Sequence, residues 1–472
     1  MRECSLDVDA ATWEAPARFR AMKTHDLPEP PPLAALDGLA EIATEVLARC
    51  RAGGAAQAEV GVSASQGLAV TVRNDEVETL EFTRDRGLSL TVYCAGRKGS
   101  ASTADLAPDS IRHTVEQALA IVRHTEPDPC AGLADPERMA RTFPDLDLWH
   151  PQALDAEAAI ALARRCEGAG LAVSGISNTE GASVSAQRAW GVYANSHGFI
   201  GRDWSTSHSL SCALIAGDDD GMQRDYWYDA SLDGAALAHP ESIGAEAARR
   251  TLARLDARSI ATTQCPVLFV PELARSLVGH LVGAVSGGAL YRKASFLLDH
   301  AGKQIFPAWV HLHEQPLLAR AFGSGSYDQE GVATSASDLV REGVLQRYVL
   351  GSYSARKLGL VSTANAGGVH NLTLEPNTPQ GLTGLIAGLK RGLVVTELMG
   401  QGVNNVTGDY SRGAAGFWVE NGQIVHAVEE VTIAGNLREI YLAIEAVGSD
   451  QDTRGNIRAG SVLVGRMTVA GH

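Results

Sequence analysis

The sequence predicts an α+β protein, in which two N-terminal helix/antiparallel-meander units precede a Gly-rich, mostly antiparallel, barrel-like β domain. Three observations carry this. Apolar residues recur at helical spacing in four segments of the first half, and each pair of segments brackets runs that alternate apolar with polar. The order helix–meander–helix occurs twice, the pattern of a duplicated unit. Beyond residue 264 the chain turns to short strands joined by glycine and uncharged polar residues.

Residues 1–32 show neither periodicity and close on Leu27-Pro28-Glu29-Pro30-Pro31-Pro32, so they read as a mobile extension. The first unit spans 33–130. Leu36, Leu39, Ala43, Val46, Leu47 and Cys50 form a helical stripe closed by Gly53-Gly54. Alternating runs such as LAVTV, ETLEF and LSLTVY follow, and Pro108 opens a second helix with Ile111, Val115, Leu119 and Val122 facing inward. The second unit spans 150–256: a helix from Ala156, strands between Ala172 and Leu232, and a helix from Pro240. A linker over 256–264 leads into the β domain, 264–472. There PVLFVP, LQRYVL, LTGLIAGL, GLVVTEL and VLVGRMTV read as strands, and a helix begins near Pro271.

Of the 472 residues, 45% are apolar, enough for a sizeable core, and the formal net charge is -15. Phosphate contacts need clustered Lys and Arg, which this chain lacks, so nucleic acid is not an expected partner. Seven scattered cysteines, odd in number and never in a C-x-x-C pair, predict a reduced cytoplasmic protein without disulfides or a zinc knuckle. The first 32 residues hold no signal-like apolar run, and Ser276 to Tyr291 is too short and Gly-rich to span a bilayer, so no membrane partner is expected either.

Gln401 to Glu430 is the most informative stretch. Its second half is a hairpin, with Asn421-Gly422 supplying the two positive-φ positions of a type I′ turn. In its first half Gly402, Gly408, Gly413 and Gly416 space out Thr407, Asp409, Tyr410, Ser411 and Arg412. Five polar side chains in such a row predict a cleft wall, not a core, since each buried one would need an internal partner. The plain alternative is a polar loop braced by an Asp409–Arg412 pair. This wording resembles the TldD/PmbA peptidase family, in its PmbA (TldE) branch. Further blocks carry the resemblance in the family's order: Asn195-Ser196-His197-Gly198, Tyr291-Arg292-Lys293-Ala294-Ser295, Asp328-Gln329-Glu330-Gly331, Arg356-Lys357-Leu358-Gly359-Leu360 and Val431-Thr432-Ile433-Ala434-Gly435-Asn436.

The resemblance implies a metallopeptidase whose active branch binds zinc through H-E-x-x-x-H on a helix and a C-terminal cysteine. Counted back from Tyr291, the His, Glu and second His positions fall on Gly279, His280 and Ala284, and no cysteine follows Cys265. Glycine and alanine have no donor atoms. The expectation is therefore no catalytic residue, metal or cofactor in this chain, with zinc supplied by a TldD-type partner in a heterodimer that degrades unfolded or short peptides. In that reading Asn195, His197, Thr407, Asp409, Tyr410, Ser411 and Arg412 line the substrate channel or interface. The alternative implied by the family is a stand-alone protein-binding modulator of DNA gyrase. Other constellations read as structural: His311-x-His313-Glu314 as an exposed edge, Asp218-Asp219-Asp220-Gly221 as a solvated turn, and His208 as a strand residue.

Overall fold

The computed structural model describes residues 32–218 and 221–471. The expectation for the extension falls, apart from Pro32, outside the described residues, as do Asp219 and Asp220 of the acidic turn. Pro32 is buried and its carbonyl accepts the Leu36 amide at 2.9 Å, so it belongs to the folded body.

Both predicted units form, and they share one sheet. The first contains α1 (Leu33–Ala52), β1 (Gln57–Arg73), β2 (Glu76–Cys94), β3 (Arg97–Thr103) and α2 (Pro108–His124). The second repeats the order with α3 (Ala156–Leu171), β4 (Ile176–Asn195), β5 (Ile200–Ala216), β6 (Gln223–Ser231) and α4 (Pro240–Ala253). β1 pairs antiparallel with β4, giving a six-stranded sheet in the order β3-β2-β1-β4-β5-β6. These strands are long enough to cross two cores. Val60 and Val62 of β1 pack under α1 and α2, whereas Val70 and Val72 reach the core beneath α3 and α4. α3 and α4 approach so closely that a Cβ on Gly244 would lie 2.0 Å from the Cys166 carbonyl oxygen.

The C-terminal domain begins with β7 (Thr263–Phe269), α5 (Pro271–Ala284) and α6 (Gly287–Tyr291). A small sheet follows, built from β8 (Leu312–Glu314), β9 (Ser337–Arg341) and β10 (Val344–Leu345), with α7 (Ser352–Leu358) and β11 (Leu372–Leu374) next in sequence. Then come α8 (Leu382–Gly388), β12 (Arg391–Met399), β13 (Asp409–Glu420), β14 (Gln423–Asn436) and α9 (Leu437–Leu442). The chain ends with β15 (Ile444–Val447), β16 (Ile457–Arg458) and β17 (Val462–Ala470). Strands β14-β13-β12-β7-β17 form a sheet that closes through β14–β17 pairing, so the barrel character is real, and only β7–β12 is parallel. Asn421 (φ 49) and Gly422 (φ 78) make the expected tight turn between β13 and β14.

Three expectations need correction. LTGLIAGL is not a strand. Its Leu382, Leu385, Ile386 and Leu389 share one helical face in a common apolar cluster, and Asp450 Oδ2 accepts the Leu382 amide at 2.8 Å. LQRYVL contributes only Leu345 to a strand. The HLHE segment is no edge, because β8 lies inside the order β10-β9-β8-β11-β16. There Glu314 is buried and ion-paired with Arg347, while His313 Nδ1 meets Asp338 at 2.5 Å, so both brace the small sheet. Among the described residues no helix is long and apolar enough to cross a membrane.

Candidate functional site: a cleft and a polar niche

Period-two alternation decides what each face of the N-terminal sheet does. On β1, Val60 and Val62 point to the helices, and Glu59, Gly61 and Ser63 point away. On β2, Leu88 and Leu90 go inward, and Gly87, Ser89 and Thr91 outward; β4 does the same with Val192 and Tyr193. The outward face, kept low by glycine and serine, floors a cleft of about 1990 Å³. The C-terminal domain walls it with the end of α5, the loop 324–330, Gly351 and the loop 365–370.

Carboxylates dominate the ionisable groups of this cleft. Glu59 accepts hydrogen bonds from Tyr93 (2.7 Å) and Tyr193 (2.8 Å). Asp203 accepts one from Tyr327 at 3.3 Å, and enclosure by the protein pushes its carboxyl up from the usual range. Asp328, 2% exposed, accepts the amides of Glu330, Val332 and Ala366 at 2.9–3.0 Å, yet burial still raises it to about 6. Glu330 accepts the Ser352 amide at 2.8 Å, which ties the loop to the start of α7. Arg202 also lines the cleft, but is engaged by Asp37 at 3.0 Å.

Beside the cleft lies α5. Pro271 stands in its first turn, and Ala274, Leu277, Val278, Leu281 and Ala284 bury one face in the barrel core. Ala284 is thus a core residue, whereas Gly279 has nothing within 4 Å of where a Cβ would sit. His280 packs edge-on against Tyr410, with ring centroids 6.0 Å apart. Burial and then the Arg412 charge lower the proton affinity of His280, which keeps it neutral at pH 7.

The segment around Arg412 is a strand, not a loop, and this sorts its side chains. Tyr410 and Arg412, two apart on β13, share one face; Asp409 and Ser411 take the other and are exposed. Tyr410 is 1% exposed, so the expectation that all five polar residues avoid the core fails there. Asp409 does not brace Arg412. It accepts from Thr407 Oγ1 (2.6 Å) and Asn436 (3.2 Å), while among the described residues the Arg412 side chain donates only a long bond to the Leu398 carbonyl at 3.4 Å. Gly402 is required for a close approach, since its Cβ would meet the Ser411 carbonyl at 1.8 Å. None of residues 407–412 lines the large cleft. Asn195 and His197 do not line it either. Asn195 is buried, and its Oδ1 accepts the His197 amide at 3.0 Å to shape the β4–β5 turn; exposed His197 meets Gln57 at 3.4 Å. Sequence reading missed Glu59, Asp203 and Tyr327 as cleft residues. The signal for Glu59 was present in the small outward residues that alternate with valine on β1.

A two-unit α+β platform faces a closed barrel across this cleft. Family models match nearly the whole described chain: PmbA/TldA metallopeptidase domain 1 over residues 58–122, the central domain over 149–255 and the C-terminal domain over 262–471. The chain belongs to the PmbA/TldD family, in its PmbA branch. It is 50% identical over 417 residues to Metalloprotease PmbA of Escherichia coli O157:H7, covering 88% of this chain and 92% of that protein. It is 45% identical to the PmbA homolog of Haemophilus influenzae, covering 88% and 93%. A solved structure of a candidate modulator of DNA gyrase from Bacteroides thetaiotaomicron superposes with a TM-score of 0.88 at 29% identity, covering 92% of this chain and 99% of the other. TldE of Thermococcus kodakarensis shares the fold, with a TM-score of 0.79 at 20% identity over 91% and 100%.

The metal that the family name implies does not fit the residues present. Gly279 and Ala284, which the resemblance puts at two of the ligand positions, offer no donor atoms, and the positive charge of Arg412 acts on His280 and disfavours a second cation there. Among the described residues no three His, Cys, Asp or Glu side chains gather as a possible metal site.

Proposed function

We propose that this protein is the non-catalytic subunit of a cytoplasmic, two-component metallopeptidase and holds extended peptide for a zinc-bearing TldD-type partner. The observation that carries the reading is a wide, preformed cleft beside a helix on which the positions that the resemblance assigns to zinc ligands hold Gly279, His280 and Ala284. The cleft floor is a sheet face of glycine, serine and threonine, which admits an extended main chain with little demand on side chains. Unfolded and short peptides are the substrates this surface suits. No step of hydrolysis is assigned to this chain.

The test is co-expression with a TldD-type subunit that carries an intact H-E-x-x-x-H. Sizing should show a heterodimer, the complex should cut unstructured peptides in a chelator-sensitive way, and each subunit alone should be inert. Chelator-sensitive cleavage by this chain alone would overturn the reading. Failure to associate, with retained binding to gyrase, would favour a stand-alone regulator instead.

A further inference from the structure

We infer that the face of β13 turned toward α5 is a carboxylate-binding niche, in which Arg412, Tyr410 and His280 hold a carboxylate of a peptide lying in the adjoining cleft. This deepens the peptide-handling reading and rests on it for the identity of the ligand. Its geometry stands independently.

Three polar atoms in this one place are buried without a hydrogen-bond partner among the described residues: Tyr410 OH, Arg412 Nε and His280 Nε2. Buried polar atoms nearly always have partners, so three neighbouring exceptions mark a place where something else binds. Tyr410 and Arg412 are brought together by the strand period, and His280 meets the Tyr410 ring across the gap. Arg412 makes no ion pair among the described residues, and its charge is felt at both His280 and Tyr410. The niche therefore holds one uncompensated positive charge and three potential donors.

That inventory selects the ligand. A cation would be repelled by Arg412, and an apolar group would leave all three atoms bare. A carboxylate has two oxygens able to accept from the guanidinium Nε–H, the phenol O–H and a neutral imidazole N–H together. Access is provided by glycine. Gly279 faces open space, and Gly283, one turn further along α5, lines the cleft itself. Asn405, whose amide lies 3.4 Å from where a Gly283 Cβ would sit, flanks the same notch.

The experiment follows the His280 ring signals by NMR in tag-free protein, assigned with His280→Gln. Sodium acetate should shift them saturably where sodium chloride does not. Arg412→Gln should abolish the response, Arg412→Lys should restore part of it, and Tyr410→Phe should weaken acetate at least threefold with the fold intact. Trialanine with a free C-terminus should then bind at least tenfold more tightly than its C-terminal amide. An amidated peptide carrying an internal glutamate separates the two sources of carboxylate, since binding equal to the free acid assigns the niche to side chains as well as chain ends. A His280 signal unmoved by acetate, with acid and amide bound equally, would overturn the niche and leave only water there, while the peptide cleft would survive. An acetate response that is lost in Arg412→Gln, in a protein that binds no peptide, would retain the niche and remove the peptide reading.

Discussion

Tyr410 packs its ring in the barrel core while its hydroxyl finds no partner among the described residues. The ring and the oxygen therefore contribute with opposite sign. Tyr410→Phe keeps the packing and removes a desolvated hydroxyl, so it should be neutral or stabilise by about 1 kcal/mol. Tyr410→Ala should cost about 3–5 kcal/mol, the usual loss for a buried aromatic ring. Urea denaturation of both variants checks this, and a loss of 2 kcal/mol or more (about twice a typical hydrogen bond) in Tyr410→Phe would mean that the hydroxyl is bonded after all. Asp328 makes a prediction in pH. Its carboxyl is raised from 3.8 to about 6, so between those values the folded state binds more protons than the unfolded one. Its contribution to stability is full below pH 3.8 and is lost as the pH rises through about 6. The amount is about 3 kcal/mol for a shift of this size. Carboxyl NMR should show Asp328 titrating near 6, and the fall in its share of stability between pH 4 and 7 should vanish in Asp328→Asn; a midpoint near 4 would refute the assignment.

At the scale of elements, the helix pair α3–α4 offers a matched test of close packing. Gly244 is buried, and a Cβ there would meet Cys166 and Gly170 backbone atoms at 2.0 and 3.0 Å, whereas exposed Gly168 has nothing within 4 Å. Gly244→Ala should cost about 1–3 kcal/mol as the helices are forced apart. Gly168→Ala should gain about 0.5–1 kcal/mol from helix propensity alone. Thermal melts of the two variants should move in opposite directions, and a common direction would show that propensity, not contact, governs both. This contact joins residues 78 positions apart by number, which periodicity cannot see. What periodicity does see, it places well: all four N-terminal helices, the long strands, the Pro271 helix and the Asn421-Gly422 turn. It misread LTGLIAGL because a short apolar run fits both periods, and the helix is settled by the distant Asp450 at its start. The site was less legible for a related reason. The count from Tyr291 singles out Gly279, His280 and Ala284 by resemblance alone, whereas the meeting of His280 with Tyr410 and Arg412 depends on barrel closure, and the cleft depends on two domains facing each other.

At the scale of the whole molecule, the two sides of the cleft are held in fixed relation by contacts that only the folded chain brings together. Arg454 stacks over Tyr228 at 4.2 Å and donates to its carbonyl at 2.6 Å, and Arg250 reaches from α4 to Glu272 on α5 at 2.9 Å. The cleft is thus preformed, and its charge can steer what enters. Glu59, Asp145, Asp203, Asp328 and Glu330 line it, against Arg202, which Asp37 already engages. A field of one sign in a low-dielectric cleft raises the local concentration of the opposite charge. An unstructured peptide carrying two lysines should therefore bind severalfold more tightly than the same peptide with two glutamates, and most of the difference should disappear by 0.5 M salt, where screening is a few ångströms. Asp203→Asn should reduce the preference, because Asp203 faces the cleft with no cation of its own among the described residues. Equal binding of the two peptides at low salt would show that the sheet floor, through main-chain contacts alone, governs entry. A cationic body drawn along this acidic wall, with a carboxylate drawn to Arg412, would fix the direction in which a peptide lies. Reversing the lysine-rich end of a labelled peptide should accordingly weaken binding, and the loss should be absent in Arg412→Gln.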